Sequence, residues 1–136
     1  MARRAGRLGL YVRAPPIQPS AQRKAGRRRV TISGGAPMPY VITFVDDPGV
    51  TERKRKVRPA HLEYVIANAE RIIASGGFFP DDDDFPNGGL IILDVETRAE
   101  AEQYITSDPF YRAGIFSTYT IRRWKKAIFD HRRVGI

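Results

Sequence analysis

The sequence predicts an α+β domain of order β-α-β-β-α-β, the split βαβ arrangement, with an antiparallel sheet carrying both helices on one face. Three observations predict it. Residues 39–45 (PYVITFV), 90–95 (LIILDV) and 115–121 (IFSTYTI) are rich in β-branched and aromatic side chains, the types that fit a pleated surface. Between the first two runs, apolar residues recur at spacings of three and four, which is one face of a helix. Between the last two stands TRAE at 97–100, the S/T-x-x-E pattern of a helix start. A chain of 136 residues has room for one domain, and a hydrophobic fraction of 42% is enough for a core.

In chain order, the first strand is apolar on both alternating sets (Tyr40, Ile42, Phe44 and Val41, Thr43, Val45), so cover on both faces is expected. DDPG at 46–49 ends it with turn chemistry. Residues 51–57 (TERKRKV) read as a charged approach to the main helix. Arg58 precedes a proline and leans toward extended geometry, whereas Pro59 suits a first helical turn. Leu62, Val65, Ile66, Ala69, Ile72 and Ile73 then form an apolar stripe, and Gly76 with Gly77 supplies a stop. His61 falls about 40° from Val65 around the helix, at the border of that stripe. Phe78, Phe79 and Pro80 suggest a short second strand, and residues 81–89 (DDDDFPNGG) a solvated loop. The second helix buries Ala101, Tyr104 and Ile105. Asp108 caps the turn that follows, with Pro109 in its first position. The last strand runs to Ile121, and residues 130–136 read as a short polar tail containing His131.

The net charge of +8 suggests nucleic acid until its distribution is examined. Residues 1–37 hold nine of the 23 Lys and Arg and none of the 15 acids, which leaves fourteen bases against fifteen acids in the rest. The folded part is near neutral, so it is not expected to bind nucleic acid. The basic segment, broken by Pro15, Pro16, Pro19 and Pro37, is expected to be a disordered extension. Met38 stands just before the first strand and is a candidate translation start. No apolar run approaches a membrane span, and the absence of cysteine excludes disulfide and thiol chemistry. Cytoplasmic residence is expected.

No metal or other cofactor is expected. The two histidines are far apart in sequence, and the four aspartates lack the alternating ligands and distal glutamate of a calcium loop. No phosphate-binding glycine loop or G-x-S-x-G elbow is present. That leaves His61 as the natural acid–base residue, because an imidazole titrates near neutrality. On local grounds a histidine at a helix edge is more often structural than catalytic, and Asp108 is a cap. Arg58 is either an anion fork or one half of a surface ion pair. Phe110, Tyr111 and Phe116 are either pocket lining or core.

Four segments go further: RPAHL at 58–62, LIILDV at 90–95, SDPFYRAGI at 107–115 and WKKAIF at 124–129. On these the chain resembles the YCII-related (YciI-like) family from residue 38 to about 129. The resemblance implies a ferredoxin-like fold assembled as a dimeric α/β barrel. It implies that His61 and Asp108 meet at a pocket as a catalytic pair, with Arg58 beside them, where its guanidinium fork could bind substrate. Most of that family has no assigned reaction; one branch eliminates chloride from a chlorinated hydroquinone. Many relatives have a Gly-Pro turn where this chain reads Gly77, Phe78, Phe79, Pro80 and then acids, so pocket shape there does not transfer.

The expectation is therefore a domain over 38–129, flanked by the 1–37 extension and the 130–136 tail. It is expected to pair as a homodimer through sheet faces, since helices cover only one side. His61 would act as general base and Asp108 would orient it, in a lyase, isomerase or dehydrochlorinase-like reaction on a small cyclic or aromatic anion. The alternative is a non-catalytic dimeric module that binds a small ligand or a protein. The enzyme reading requires the His61 ring within about 3.2 Å of the Asp108 carboxylate at the mouth of a cavity.

Overall fold

A computed structural model of the chain describes residues 38–136; the expectations for residues 1–37 lie outside the described residues. Strands β1 (Tyr40–Val45), β2 (Ile72–Phe78), β3 (Gly88–Leu93) and β4 (Tyr119–Arg123) form one antiparallel sheet in the order β2-β3-β1-β4. Helix α1 (Thr51–Ala67) joins β1 to β2. Helix α2 (Arg98–Ser107) and the single turn α3 (Pro109–Arg112) join β3 to β4. This is the ferredoxin-like α+β arrangement. Ile42 at the sheet centre stands opposite both Ile91 and Ile121. With Tyr40, Phe44 and Leu93 it forms the buried side of the sheet, in one cluster with Ala101, Tyr104 and Ile105 of α2 and Phe110 of α3. Burying a side chain such as Ile42 or Leu93 contributes about 1.5–3 kcal/mol. Among the described residues no helix is long and apolar enough to cross a membrane.

Helix α2 forms as its sequence dictates. Thr97 Oγ1 accepts from the Glu100 N–H, and the Glu100 carboxylate accepts from the Thr97 N–H, which closes the capping box. Those bonds hold the Glu100 carboxyl below its ordinary pKa range.

Helix α1 departs from the expectation at both ends. It begins at Thr51, so the charged run 51–57 is helix and Pro59 lies inside it. Glu, Arg and Lys are good helix formers, and a buried anchor outweighs the bias before proline. Lys54 is buried, with its ammonium 2.6 Å from Asp46 Oδ2. The inward stripe is Lys54, Val57, His61, Tyr64 and Asn68, spaced by three and four. Leu62 and Ile66, expected inside, are 36% and 71% exposed. Asn68, not the glycine pair, ends the helix: its side-chain amide and its backbone N–H both donate to Tyr64 O.

Ile72, Ile73, Gly76 and Gly77 therefore belong to β2, which is longer than the short strand expected at 78–80. Glycine in this sheet permits close packing. A Cβ at Gly89 would lie 2.7 Å from the Phe44 ring, and one at Gly77 would lie 3.1 Å from Pro86 Cβ. The last strand starts later than expected, at Tyr119, because Ile115 and Phe116 turn inward to the core. Beyond it, β5 (Ile128–Phe129) and β6 (Arg132–Arg133) form a hairpin. Its turn residues Asp130 and His131 have φ of 48° and 63°, so the expected boundary at 129/130 falls inside a hairpin.

The sheet face away from the helices carries Val41, Thr43, Leu90 and Ile92, all half-buried, and Val45, 61% exposed. Thr43 and Thr120 on this face bond each other through their hydroxyls. The second covered face that β1 suggested is thus open in the single chain.

Candidate active site

Helix α1 packs against α3, and this contact brings the two sequence candidates together. His61 Nδ1 lies 2.8 Å from Asp108 Oδ1 and 3.0 Å from Oδ2, across 47 residues of chain. Asp108 is placed by the proline after it. Pro109 has no N–H and starts α3, so Asp108 is extended (φ −63°, ψ 131°) and caps the turn. Its Oδ1 accepts from the Phe110 N–H at 2.8 Å. The carboxylate is fully buried, a cost that these donors offset. Capping and histidine binding coexist because one carboxylate offers several acceptor sites.

With Nδ1 held as the donor to Asp108, Nε2 is the nitrogen left to accept a proton. It meets no partner among the described residues. The imidazole lies flat on the Phe110 ring, centroids 3.8 Å apart and planes 7° from parallel. Nearby, the Tyr64 hydroxyl donates to Tyr104 O at 2.7 Å. Burial, and then the negative charge of Asp108, push both tyrosine phenols up from their ordinary value.

His61 lies on the wall of a cleft of about 480 Å³ between α1, the β2–β3 side of the sheet and the loop after β2. That volume suits a small organic molecule. Arg58, one turn before His61, also lines the cleft and makes no ion pair or hydrogen bond among the described residues. Lys54 and Arg55 also line the cleft, but each is ion-paired, with Asp46 at 2.6 Å and with Glu52 at 3.1 Å, and Asp84 is the acid of the lining, so among the described residues there Arg58 is the cation free to meet an anion. Phe79 and Phe85 supply apolar walls from the loop.

Sequence reasoning missed Lys54 and left Phe110 undecided. Lys54 was hidden in the charged run; a helix beginning at Thr51 would have put it in register with His61. Its ammonium also donates to Pro86 O at 3.0 Å, which ties the loop to α1. Phe110 was one of three aromatics offered as pocket or core, and it is both. Phe116 is core, stacked on Phe44 at 4.3 Å, and Tyr111 packs on Phe116 and Tyr119. His131 is exposed in the terminal hairpin. Among the described residues no group of three or more His, Asp or Glu is placed to hold a metal ion.

The fold and the site define a ferredoxin-like α+β domain with a buried carboxylate bonded to a histidine on the wall of a cleft. Residues 38–125 match the family model described as the YCII-related domain, and the chain belongs to that family. Protein YciI of Escherichia coli O6:H1 is 27% identical over 96 residues, 65% of this chain and 98% of that protein. An uncharacterized protein of Haemophilus influenzae matches to the same extent. Among solved structures, 5-chloro-2-hydroxyhydroquinone dehydrochlorinase (TftG) of Burkholderia phenoliruptrix, in complex with 2,5-dihydroxybenzoquinone, superimposes with a TM-score of 0.59. It is 28% identical and covers 65% of this chain and 94% of its own.

Proposed function

We propose that the protein is an acid–base enzyme that eliminates a leaving group from, or isomerises, a small cyclic or aromatic anion. One observation carries this reading: His61, bonded through Nδ1 to the buried Asp108, lines a cleft with Nε2 unpartnered and an unpaired arginine one turn away. Nε2 takes a proton from the substrate. Asp108 holds the ring in the tautomer that makes this possible and steadies the imidazolium that forms. The planar fork of Arg58 holds a substrate oxygen that gains negative charge. In a dehydrochlorination, the electron pair left behind by that proton forms a new π bond in the substrate, chloride leaves with the electrons of the carbon–chlorine bond, and the proton on His61 returns to water.

Chloride release from 5-chloro-2-hydroxyhydroquinone tests it. His61→Gln and Asp108→Asn are expected to lower kcat/KM by about 10²–10⁴-fold, and Arg58→Met to act mainly on KM. Wild-type rates in His61→Gln would sink the reading and favour the binding module.

The open sheet face supports a second copy as the partner. Half-buried Val41, Leu90 and Ile92 form a contiguous apolar surface around a satisfied threonine pair, and a second sheet laid across it would remove that surface from water.

A further inference from the structure

A histidine accepts a proton only along the lone pair of its free nitrogen, and that lone pair lies in the ring plane. The bond from Nδ1 to Asp108 decides which nitrogen carries the proton. One hydrogen bond alone still allows the ring to tilt through coupled changes in χ1 and χ2, which would swing Nε2 away from a substrate. Phe110 lies against that plane. Its ring lies 3.8 Å from the imidazole at 7° from parallel, and it is itself 3% exposed. Its backbone N–H donates at 2.8 Å to Asp108 Oδ1, the same oxygen that His61 Nδ1 approaches at 2.8 Å. One residue thus fixes both the carboxylate and the ring it supports.

The near-parallel stack lays the Phe110 face along the imidazole, an arrangement that offset-stacked aromatic pairs favour. His61 Nδ1 and the Phe110 backbone N–H also meet the same carboxylate oxygen. A phenyl face also attracts cations, so it suits the imidazolium that proton uptake creates. The charged and titratable groups around the pair include Asp108 at the α2–α3 junction, Lys54 with its partner Asp46, Arg55, Arg58 and Tyr64 on α1, Tyr104 on α2 and Asp84 on the loop. Lys54 lies over the Phe110 ring, 5.4 Å from its centroid.

We infer that Phe110 is the positioning residue of the His61 base, holding the ring plane that aims Nε2 into the cleft. This rests on the reading of His61 as a base. Two variants test it in the full chain. Phe110→Leu keeps the backbone N–H and much of the bulk but removes the flat face, and Phe110→Tyr keeps the face. Thermal melts check folding, and Phe110→Met replaces the leucine variant if that does not fold. The chain has two histidines, so the ring-proton NMR signals of His61 are read against exposed His131. Phe110→Leu is expected to move the His61 signals downfield, as ring-current shielding is lost, and to leave His131 unmoved. Chloride release from 5-chloro-2-hydroxyhydroquinone should fall about 10–100-fold in kcat, with KM within about twofold. Phe110→Tyr should restore both.

Unmoved His61 signals in Phe110→Leu, or a tyrosine variant as impaired as the leucine one, would overturn the inference. The NMR arm decides the placement without turnover. Wild-type rates in His61→Gln alongside shifted signals in Phe110→Leu would remove the base and leave the platform. An inactive His61→Gln beside a fully active Phe110→Leu would remove the platform alone.

Discussion

Tyr104 is 1% exposed, and its hydroxyl has no hydrogen-bond partner among the described residues. A buried hydroxyl without a partner costs free energy that a phenylalanine would not. Tyr104→Phe is therefore expected to leave stability at pH 7 unchanged or raise it by up to about 1 kcal/mol, read by urea denaturation. A loss of comparable size would mean that the oxygen has a partner. The same variant has a pH signature. Burial raises the folded-state pKa of Tyr104 above its ordinary value of 10.0, so the folded state holds that proton more tightly than the unfolded chain. The stability linked to it is fully present below about pH 10 and is lost as pH rises toward the folded-state pKa. The variant should lose stability less steeply than wild type above that pH. At this scale the sequence disclosed part of the candidate site. Asp108 was legible as a cap because a cap before proline is a local pattern, and His61 because one chemically apt residue stood in RPAHL; their meeting was implied only by the family resemblance. Lys54 and the stack on Phe110 were not, since each depends on which residues α1 turns inward.

At the scale of elements, α2 was legible throughout, because its capping box and its inner face of Ala101, Tyr104 and Ile105 follow local rules. Helix α1 was not, for a physical reason. Hydrophobic periodicity locates an inner face only when that face is apolar, and here it carries an ammonium, an imidazole, a phenol and an amide. The isoleucines of β2 fit the helical period by coincidence, and its glycines imitated a helix stop. Pro59 adds a prediction. Inside α1 it leaves the Arg55 carbonyl without its helical donor, at a cost only partly offset by a stiffer unfolded chain. Pro59→Ala is expected to stabilise the protein by about 1–2 kcal/mol, measured as a higher urea midpoint at unchanged slope. A lower midpoint would show that the proline relieves strain elsewhere in the helix.

The whole-molecule topology followed from the number and order of elements, although several boundaries moved by many residues. A split βαβ chain has few ways to cover one sheet face with two helices. What lies against the other face is a matter between molecules, and the pairing proposed above has its own test. Val41→Glu puts a carboxylate in the middle of that face, opposite Ile92 on β3. Light scattering at micromolar concentration is expected to give a dimer for the wild type and a monomer for the variant, with circular dichroism unchanged. A monomeric wild type would remove the second copy as partner.

The division of labour around the cleft has an evolutionary consequence. Lys54, Arg58 and His61 line it from one helix, so a single inserted residue between them would rotate part of the set by about 100° and take it out of the site. The loop between β2 and β3 supplies Phe79, Asp84 and Phe85 from a connection whose two ends are already joined in the sheet. Lengthening or shortening it leaves the helix register untouched. Insertions and deletions among relatives should therefore gather in that loop and spare the segment from 54 to 61, so that the cleft is reshaped by changing the loop while helix α1 keeps its length.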